Sequence, residues 1–310
     1  VNAPARRSVS RAMGDPPTAA RAEVDGDLFP SGFLRLLSIV PAALRRLYAG
    51  VPDGRRAALG EGGRFLFRGH RAYRPGDDLR RMDWRVEARL GRQMVRQFDV
   101  ERDLVTEVWL DGSASLGPLG GRTAAWRAAA LAVAVGVGEG GRARLGVVRE
   151  GRLEPRSEAA SVGELRETLV ALSREHPAGR AGWAEALPRL RARLPRGARL
   201  VLVSDLLSRA DPGVLSTFGG RGLKGALLHL RVPEVNAPAR GTPLLMRDAE
   251  TGVERVVALS SGAAARAAAR AQAHADLWAR HAASVGLRYL PFAPGQEEEA
   301  LLRRLALEAS

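Results

Sequence analysis

Two apolar runs in this chain stop abruptly at an aspartate, and together they constrain the fold more than any other feature. The first, Leu104 to Leu110, thickens into a buried-strand pattern and gives way to Asp111-Gly112-Ser113-Ala114-Ser115. The second, Arg199 to Ser204, has the same character and ends in Asp205. Runs that are apolar with little alternation suit strands covered on both faces, and such strands belong to parallel sheets with helices on either side.

The remainder of the chain from Leu104 agrees, because strand and helix patterns alternate along it. A helix is expected over about 122–137, a strand over 142–149 with an antiparallel partner at 152–155, and helices at 162–174 and 183–194. Beyond Asp205 come a short helix near 212–218 and a strand at 225–231. Segments 242–247 and 253–259 flank the turn at 248–252 and read as a hairpin. A long Ala/Arg helix, 263–284, ends ahead of Gly286, a residue suited to the left-handed conformation that closes helices. A strand at 287–292 and a helix at 297–307 complete the series. The expected fold is α/β: an open, mostly parallel, Rossmann-like sheet flanked by helices.

Composition narrows the chemistry. The chain has no cysteine, which removes disulfides, thiolate metal sites and cysteine nucleophiles. Its formal charge of +14 is carried by arginine, with Lys224 the sole lysine. That excess fits either a solvated surface with biased codon usage or an acidic partner. No run approaches the roughly 20 apolar residues that span a bilayer. Phe33 to Val40 contains Arg35 and stops at Pro41. The Arg-rich beginning leads into no apolar segment, so a cytoplasmic protein is expected.

Three regions are expected. Residues 1–27, without an aromatic side chain, read as a disordered tail; 28–103 form a helical and Arg-rich strand/turn segment; 104–310 form the α/β domain. Leu28 to Tyr48 has helical spacing interrupted by Pro41, which suggests two short helices packed on the body. Arg35, Arg45 and Arg46 on such helices would also suit contact with a membrane surface. Arg64 to Phe67 reads as a strand, Asp78 as the cap of a helix through Trp84 and Ala88, and Arg92 to Val100 as a strand at a sheet edge.

Ligands of open α/β sheets collect outside the carboxyl ends of strands, where the strand order reverses. If the two aspartate-ending strands are neighbours, Asp111, Ser113, Ser115 and Asp205 converge. One carboxylate and two hydroxyls on one turn, with a second carboxylate opposite, make the oxygen shell that Mg²⁺ prefers. The competing reading is that Asp111 and the serines only cap the following helix. On the cation reading, Asp111→Ala should abolish partner capture and leave the fold intact.

A second cluster lies in the N-terminal segment: Arg71, Tyr73, Arg74, Asp77, Asp78, Arg81, Asp83 and Trp84. The stretch from Arg64 to Arg102 holds 11 arginines against 6 acids. It reads either as an ion-pair network holding an irregular segment in place or as a docking face for a partner, with Trp84 and Tyr73 as anchors. Enzyme signals are weak. Ser115, Asp205 and His281 follow hydrolase chain order, but the first glycine of a nucleophile elbow is missing. Gly136 to Gly141 follows a helix and precedes a strand, the wrong order for a phosphate loop. Nucleic-acid binding through scattered arginines is a further alternative without a recognisable motif.

From about Gly62 onward the chain resembles the bacterial family known as domain of unknown function fifty-eight, which has a von Willebrand factor A-like fold. The resemblance rests on Gly69 to Asp78, Arg81-Met82-Asp83-Trp84, Ala88-Arg89, Val95-Arg96-Gln97-Phe98 with Glu101, Asp111 to Ser115, and Val203-Ser204-Asp205. It implies a metal-ion-dependent adhesion site on Asp111, Ser113, Ser115 and Asp205. It also implies a non-enzymatic adaptor role beside a MoxR-type AAA+ ATPase, in protein remodelling or metal insertion. One departure is visible: where the family pattern carries a threonine ligand, this chain has Ala181.

Overall fold

The computed structural model describes residues 28–49, 64–75, 77, 82–101, 105–139, 141–208, 210–231, 243–258, 262–296 and 298–306. The tail 1–27 and the positions of Asp78, Arg80 and Arg81 lie outside them. Helix α1 (Ser31–Ala49) is one helix that runs through Pro41, where the sequence suggested a helix pair. Its apolar stripe, Phe33, Leu37, Val40 and Leu44, is buried. A stripe with 3–4 residue spacing presents a single face, and here that face packs on the body.

Strand β1 (Arg64–Ala72), helix α2 (Trp84–Leu90) and strand β2 (Met94–Glu101) form a separate antiparallel ribbon with a helix in its connection. β2 is therefore an edge strand, as expected, of this ribbon with β1. Helix α2 is capped by Asp83, whose side chain accepts from the amides of Arg85 and Val86, and the Asp78 cap expected from the sequence lies outside the described residues.

Strand β3 (Val105–Asp111) opens the α/β unit, followed by helix α3 (Gly121–Gly138) and the antiparallel pair β4 (Arg142–Arg149) and β5 (Arg152–Ala159). Helices α4 (Leu165–Arg174) and α5 (Trp183–Arg193) precede β6 (Arg199–Ser204), a 3₁₀ turn at 212–218 and β7 (Lys224–Leu230). The hairpin β8 (Pro243–Arg247) and β9 (Glu254–Ala258), helix α6 (Ala263–Ser284), strand β10 (Arg288–Phe292) and helix α7 (Glu298–Ala306) complete the chain.

The main sheet has six strands in the order β10-β7-β6-β3-β4-β5. All neighbours are parallel except β4 and β5. β3 sits at the centre with β4 on one side and β6 on the other, so the strand order reverses there. Its residues from Val108 to Asp111 are buried, as expected of a strand covered on both faces. One core holds α1, α3, α4 and α7 against one face of the sheet, and a second holds α5 and α6 against the other. The fold is thus the open, mostly parallel, Rossmann-like sheet expected from the sequence.

Candidate functional site

Because β3 and β6 are hydrogen-bonded neighbours, with Leu110 opposite Val203, their carboxyl ends deliver Asp111 and Asp205 to one rim. Both are buried, at 0% and 3% exposure. Gly112 makes the turn after Asp111 feasible, since a Cβ there would lie 2.6 Å from Val147 Cγ1. The segment is then held from outside: the Ala114 amide donates to the Gly179 carbonyl and the Ala178 amide to the Gly112 carbonyl.

Asp111 is fully engaged by neutral donors. Its Oδ1 accepts from the Ser113 amide at 2.8 Å and the Ser113 hydroxyl at 2.5 Å. Its Oδ2 accepts from the Ser204 hydroxyl at 2.5 Å and the Trp183 indole N–H at 3.1 Å. The same indole N–H also points at Ser204 Oγ, which in turn accepts the Leu206 amide. Trp183 stands at the start of α5, two residues past Ala181, which is itself fully buried and offers no side-chain oxygen. On the side where a threonine hydroxyl was expected, the indole N–H now meets the carboxylate.

Asp205 is treated differently. Oδ1 accepts the Leu207 amide at 3.1 Å, while Oδ2 is buried with no hydrogen-bond partner. Burial, and then the negative charge of Asp111, push its pKa up to about 6, against a smaller opposing pull from the Ser115 hydroxyl. Ser113 and Ser115 place their hydroxyl oxygens 2.9 Å apart. A serine that donates its proton to a carboxylate keeps lone pairs for a cation, and Asp205 Oδ2 is an acceptor still lacking a positive neighbour. The donor set therefore fits a hard ion held by Ser113, Ser115 and Asp205, with Asp111 fixing the serine behind them. Among the described residues no three His, Asp or Glu side chains gather closely enough to hold a metal by themselves, so hydroxyls and water would have to complete the shell.

Beneath the rim His229 is buried, and burial pushes its pKa down to about 4. The neutral ring lies 3.0 Å from the Asp205 carbonyl through Nε2 and 2.5 Å from the Tyr289 hydroxyl through Nδ1. His281, by contrast, lies in the last turn of α6, which leads into the start of β10 at the opposite end of the sheet. Ser115, Asp205 and His281 are therefore not assembled as a hydrolase would need. Around the rim stand two exposed leucines, Leu119 (51%) after the serine turn and Leu207 (67%) after Asp205.

The ribbon's candidate residues divide in two. Arg71 makes a two-pronged contact with Asp77 at 2.6 and 2.7 Å, and the Arg74 amide adds a third bond, which holds the Asp77 pKa down to about 2. Asp83, besides capping α2, accepts from Arg96 Nε at 2.8 Å and lies 2.8 Å from His70 Nε2. Arg96 first, then His70, hold its carboxyl far below the usual range. These residues lock the ribbon together. Trp84 (61% exposed) and Arg74 face solvent, and Tyr73 is half-buried. Sequence reasoning assigned no part in the rim to Ser204, Trp183 or His229. Ser204 alone carried a signal, as the hydroxyl next to the second aspartate.

Comparison with known proteins places this arrangement. Uncharacterized proteins of Mycobacterium tuberculosis (Rv1480) and Mycobacterium bovis (Mb1516) are each 31% identical over 257 residues, covering 80% of this chain and 79% of the relative. Among solved structures, a conserved hypothetical protein BatB from Bacteroides thetaiotaomicron aligns at 15% identity and a TM-score of 0.44, over 66% of this chain and 98% of its own. The VWA domain of SpRpn10 aligns at 12% identity and a TM-score of 0.37, over 67% and 95%. Likenesses at this level are loose, and the fold stands on its own strand order. The model of the family described as "Protein of unknown function DUF58" matches residues 69–277, from the ribbon through the rim and most of α6, and the chain belongs to that family.

Proposed function

We propose that this chain is a non-enzymatic protein-interaction module whose docking site is the rim of β3 and β6. The observation that carries the reading is the convergence of Asp111, Ser113, Ser115 and Asp205 at the reversal of strand order, with one buried carboxyl oxygen left without a donor. Ser113, Ser115 and Asp205 would hold Mg²⁺, which supplies a positive centre for a partner's carboxylate. Ser204 and Trp183 hold Asp111 in place, and Asp111 orients the Ser113 hydroxyl. The exposed Leu119 and Leu207 add an apolar border of the kind a protein partner covers. Ser115 is paired with the Ser113 hydroxyl and no histidine, which favours binding over nucleophilic chemistry. The site is a degenerate metal-ion-dependent adhesion site, because Ala181 removes one oxygen ligand.

The partner this reading favours is a MoxR-type AAA+ ATPase, on family resemblance, with the chain serving as adaptor in remodelling or metal insertion. Capture of a purified MoxR-type ATPase on the immobilised chain tests it. Capture in Mg²⁺ should fall about tenfold or more in EDTA and in Ser115→Ala, a loss in the range of a disturbed metal shell. Equal capture in all three conditions would remove the ion-bridged mechanism. Capture of nucleic acid instead, fading steeply with salt and indifferent to EDTA, would replace the reading with the arginine surface.

A further inference from the structure

Leu206 stands between the second aspartate and the exposed Leu207, and its backbone is left-handed, with φ +56°. Only Leu119 and Glu150 share that conformation among the described non-glycine residues, and Leu119 borders the rim as well. A β-carbon makes this region costly, so a leucine stays there only where its surroundings hold it. Here the hold is complete. The Leu206 amide donates to Ser204 Oγ at 2.9 Å and the Leu207 amide to Asp205 Oδ1 at 3.1 Å. The Asp205 carbonyl meets His229 Nε2 at 3.0 Å, and the Leu206 carbonyl meets His274 Nε2 at 2.8 Å. All four polar groups of the two peptide units that flank Leu206 are thus engaged by side chains.

One of the four is contested. His274 and Trp278 stand one turn apart on α6 with their rings edge to face, and the Trp278 indole N–H lies 3.0 Å from the same His274 Nε2. A carbonyl only accepts and an indole N–H only donates. Nε2 therefore needs a proton to hold the Leu206 carbonyl and must lack one to take the Trp278 hydrogen. A neutral imidazole has a single proton to place, on Nε2 or on Nδ1. Trp278 is fully buried and Leu206 is 1% exposed, so either choice leaves a group without water to replace the lost bond. His229 has no such conflict: Nε2 donates to the Asp205 carbonyl, and the bare Nδ1 accepts from the Tyr289 hydroxyl.

We propose that His274 is a positioning residue for the rim, a two-way hydrogen bond that holds the Leu206 turn when Nε2 carries the proton and releases it when Nε2 turns to Trp278. The held turn keeps the Leu207 amide on Asp205 and fixes where the exposed Leu207 side chain stands. Released, Leu206 is free to leave the left-handed region and carry Leu207 with it. Helix α6 thereby decides which form of the turn a partner meets. What the turn presents rests on the docking reading above; the choice at Nε2 does not depend on an ion.

Nitrogen-15 magnetic resonance of ring-labelled histidine in the full chain, at about pH 8.5 where an ordinary histidine is neutral, reads the tautomer. His274→Ala identifies the signal. Wild type should show both tautomers of His274. Trp278→Phe, which removes the competing N–H, should move His274 to the Nε2–H form and slow amide exchange at Leu207 about fivefold, the equivalent of one net hydrogen bond. His274→Ala should speed the same exchange by a similar factor. Faster exchange in both variants, the behaviour of a merely structural pair, overturns the switch. A single tautomer in wild type overturns it without recourse to any variant, so poor packing of Trp278→Phe does not shield it. Capture of a MoxR-type ATPase in Mg²⁺ should rise in Trp278→Phe and fall in His274→Ala, and equal capture by all three proteins overturns the positioning role. Mn²⁺ titration of wild type, followed by the electron paramagnetic resonance of the free ion, tests the ion site separately: no binding there removes the ion-bridged reading, while the tautomers still decide the switch.

Discussion

Asp83 in the ribbon and Asp205 on the rim are both screened from solvent, yet their surroundings push them in opposite directions. Asp83 meets Arg96, His70 and two helix amides, and its carboxyl is held well below the ordinary range. Asp205 meets one amide, the Ser115 hydroxyl and the field of Asp111, and burial and that field raise its carboxyl to about 6. The arginine-rich ribbon uses Asp77 and Asp83 as fasteners, each answered by a basic side chain. The rim, where no arginine among the described residues pairs with either aspartate, leaves a negative charge unanswered at the carboxyl ends of β3 and β6. A carboxylate that the fold does not neutralise is one that something else can.

The contrast is broken most severely at Asp111. This carboxylate accepts four bonds from Ser113, Ser204 and Trp183, all in a dry environment. Asp111→Ala strands those donors and should cost about 3–5 kcal/mol of stability, the range for removing one side of a buried polar network. Against the sequence-based expectation that this variant keeps its fold, these four bonds predict a large loss of stability. Asp83→Ala should act only locally, raising amide exchange over α2 and the ribbon with little change in the global unfolding midpoint. Urea unfolding and exchange on both variants check the pair. Equal global losses would mean the ribbon and the sheet unfold as one unit.

A pH profile sharpens the comparison within the rim itself. The raised pKa of Asp205 means that the folded state holds its proton more tightly between 3.8 and about 6. Its contribution is present at low pH and lost as pH rises through 6. His229 has the opposite sense: lowered from 6.5 to about 4, it favours folding above 6.5 and loses that contribution as pH falls through 4. Shifts of this size are each equivalent to about 3 kcal/mol, so they largely cancel between pH 4 and 6.5. In EDTA the wild type should show a nearly flat stability there. Asp205→Asn removes one arm, and its stability should fall by up to about 3 kcal/mol as pH drops through the same window. A variant profile parallel to the wild type would show that Asp205 titrates normally.

Much of this was legible in the sequence, and the rest was not for identifiable reasons. The sheet was readable because its strands are short apolar runs at regular intervals, and β3, β4 and β6 fall within a residue or so of the expected positions. The convergence of Asp111 with Asp205 followed from two strands ending alike. Trp183 and Ser204 were not legible as donors, because their role depends on which side of the strand end the start of α5 comes to rest. The ribbon was misread where local signals conflicted. Asp83 caps the helix, held by Arg96 and His70 across the ribbon, while Asp78 lies outside the described residues.

The smallest change asks whether the ribbon does anything beyond fastening. Trp84 is the first residue of α2 and is 61% exposed, with its helix capped by the residue before it. Removing an exposed ring leaves no buried cavity, so Trp84→Ala should shift stability by no more than about 0.5 kcal/mol. Its effect on capture of a MoxR-type ATPase is the informative quantity, because an exposed tryptophan beside arginines is the composition of an interface anchor. If the ribbon docks the partner, capture weakens while Mn²⁺ binding at the rim stays as in wild type. If capture is unchanged, the ribbon is a collar, and the unanswered charge at Asp205 is left as the feature by which this molecule meets its partner.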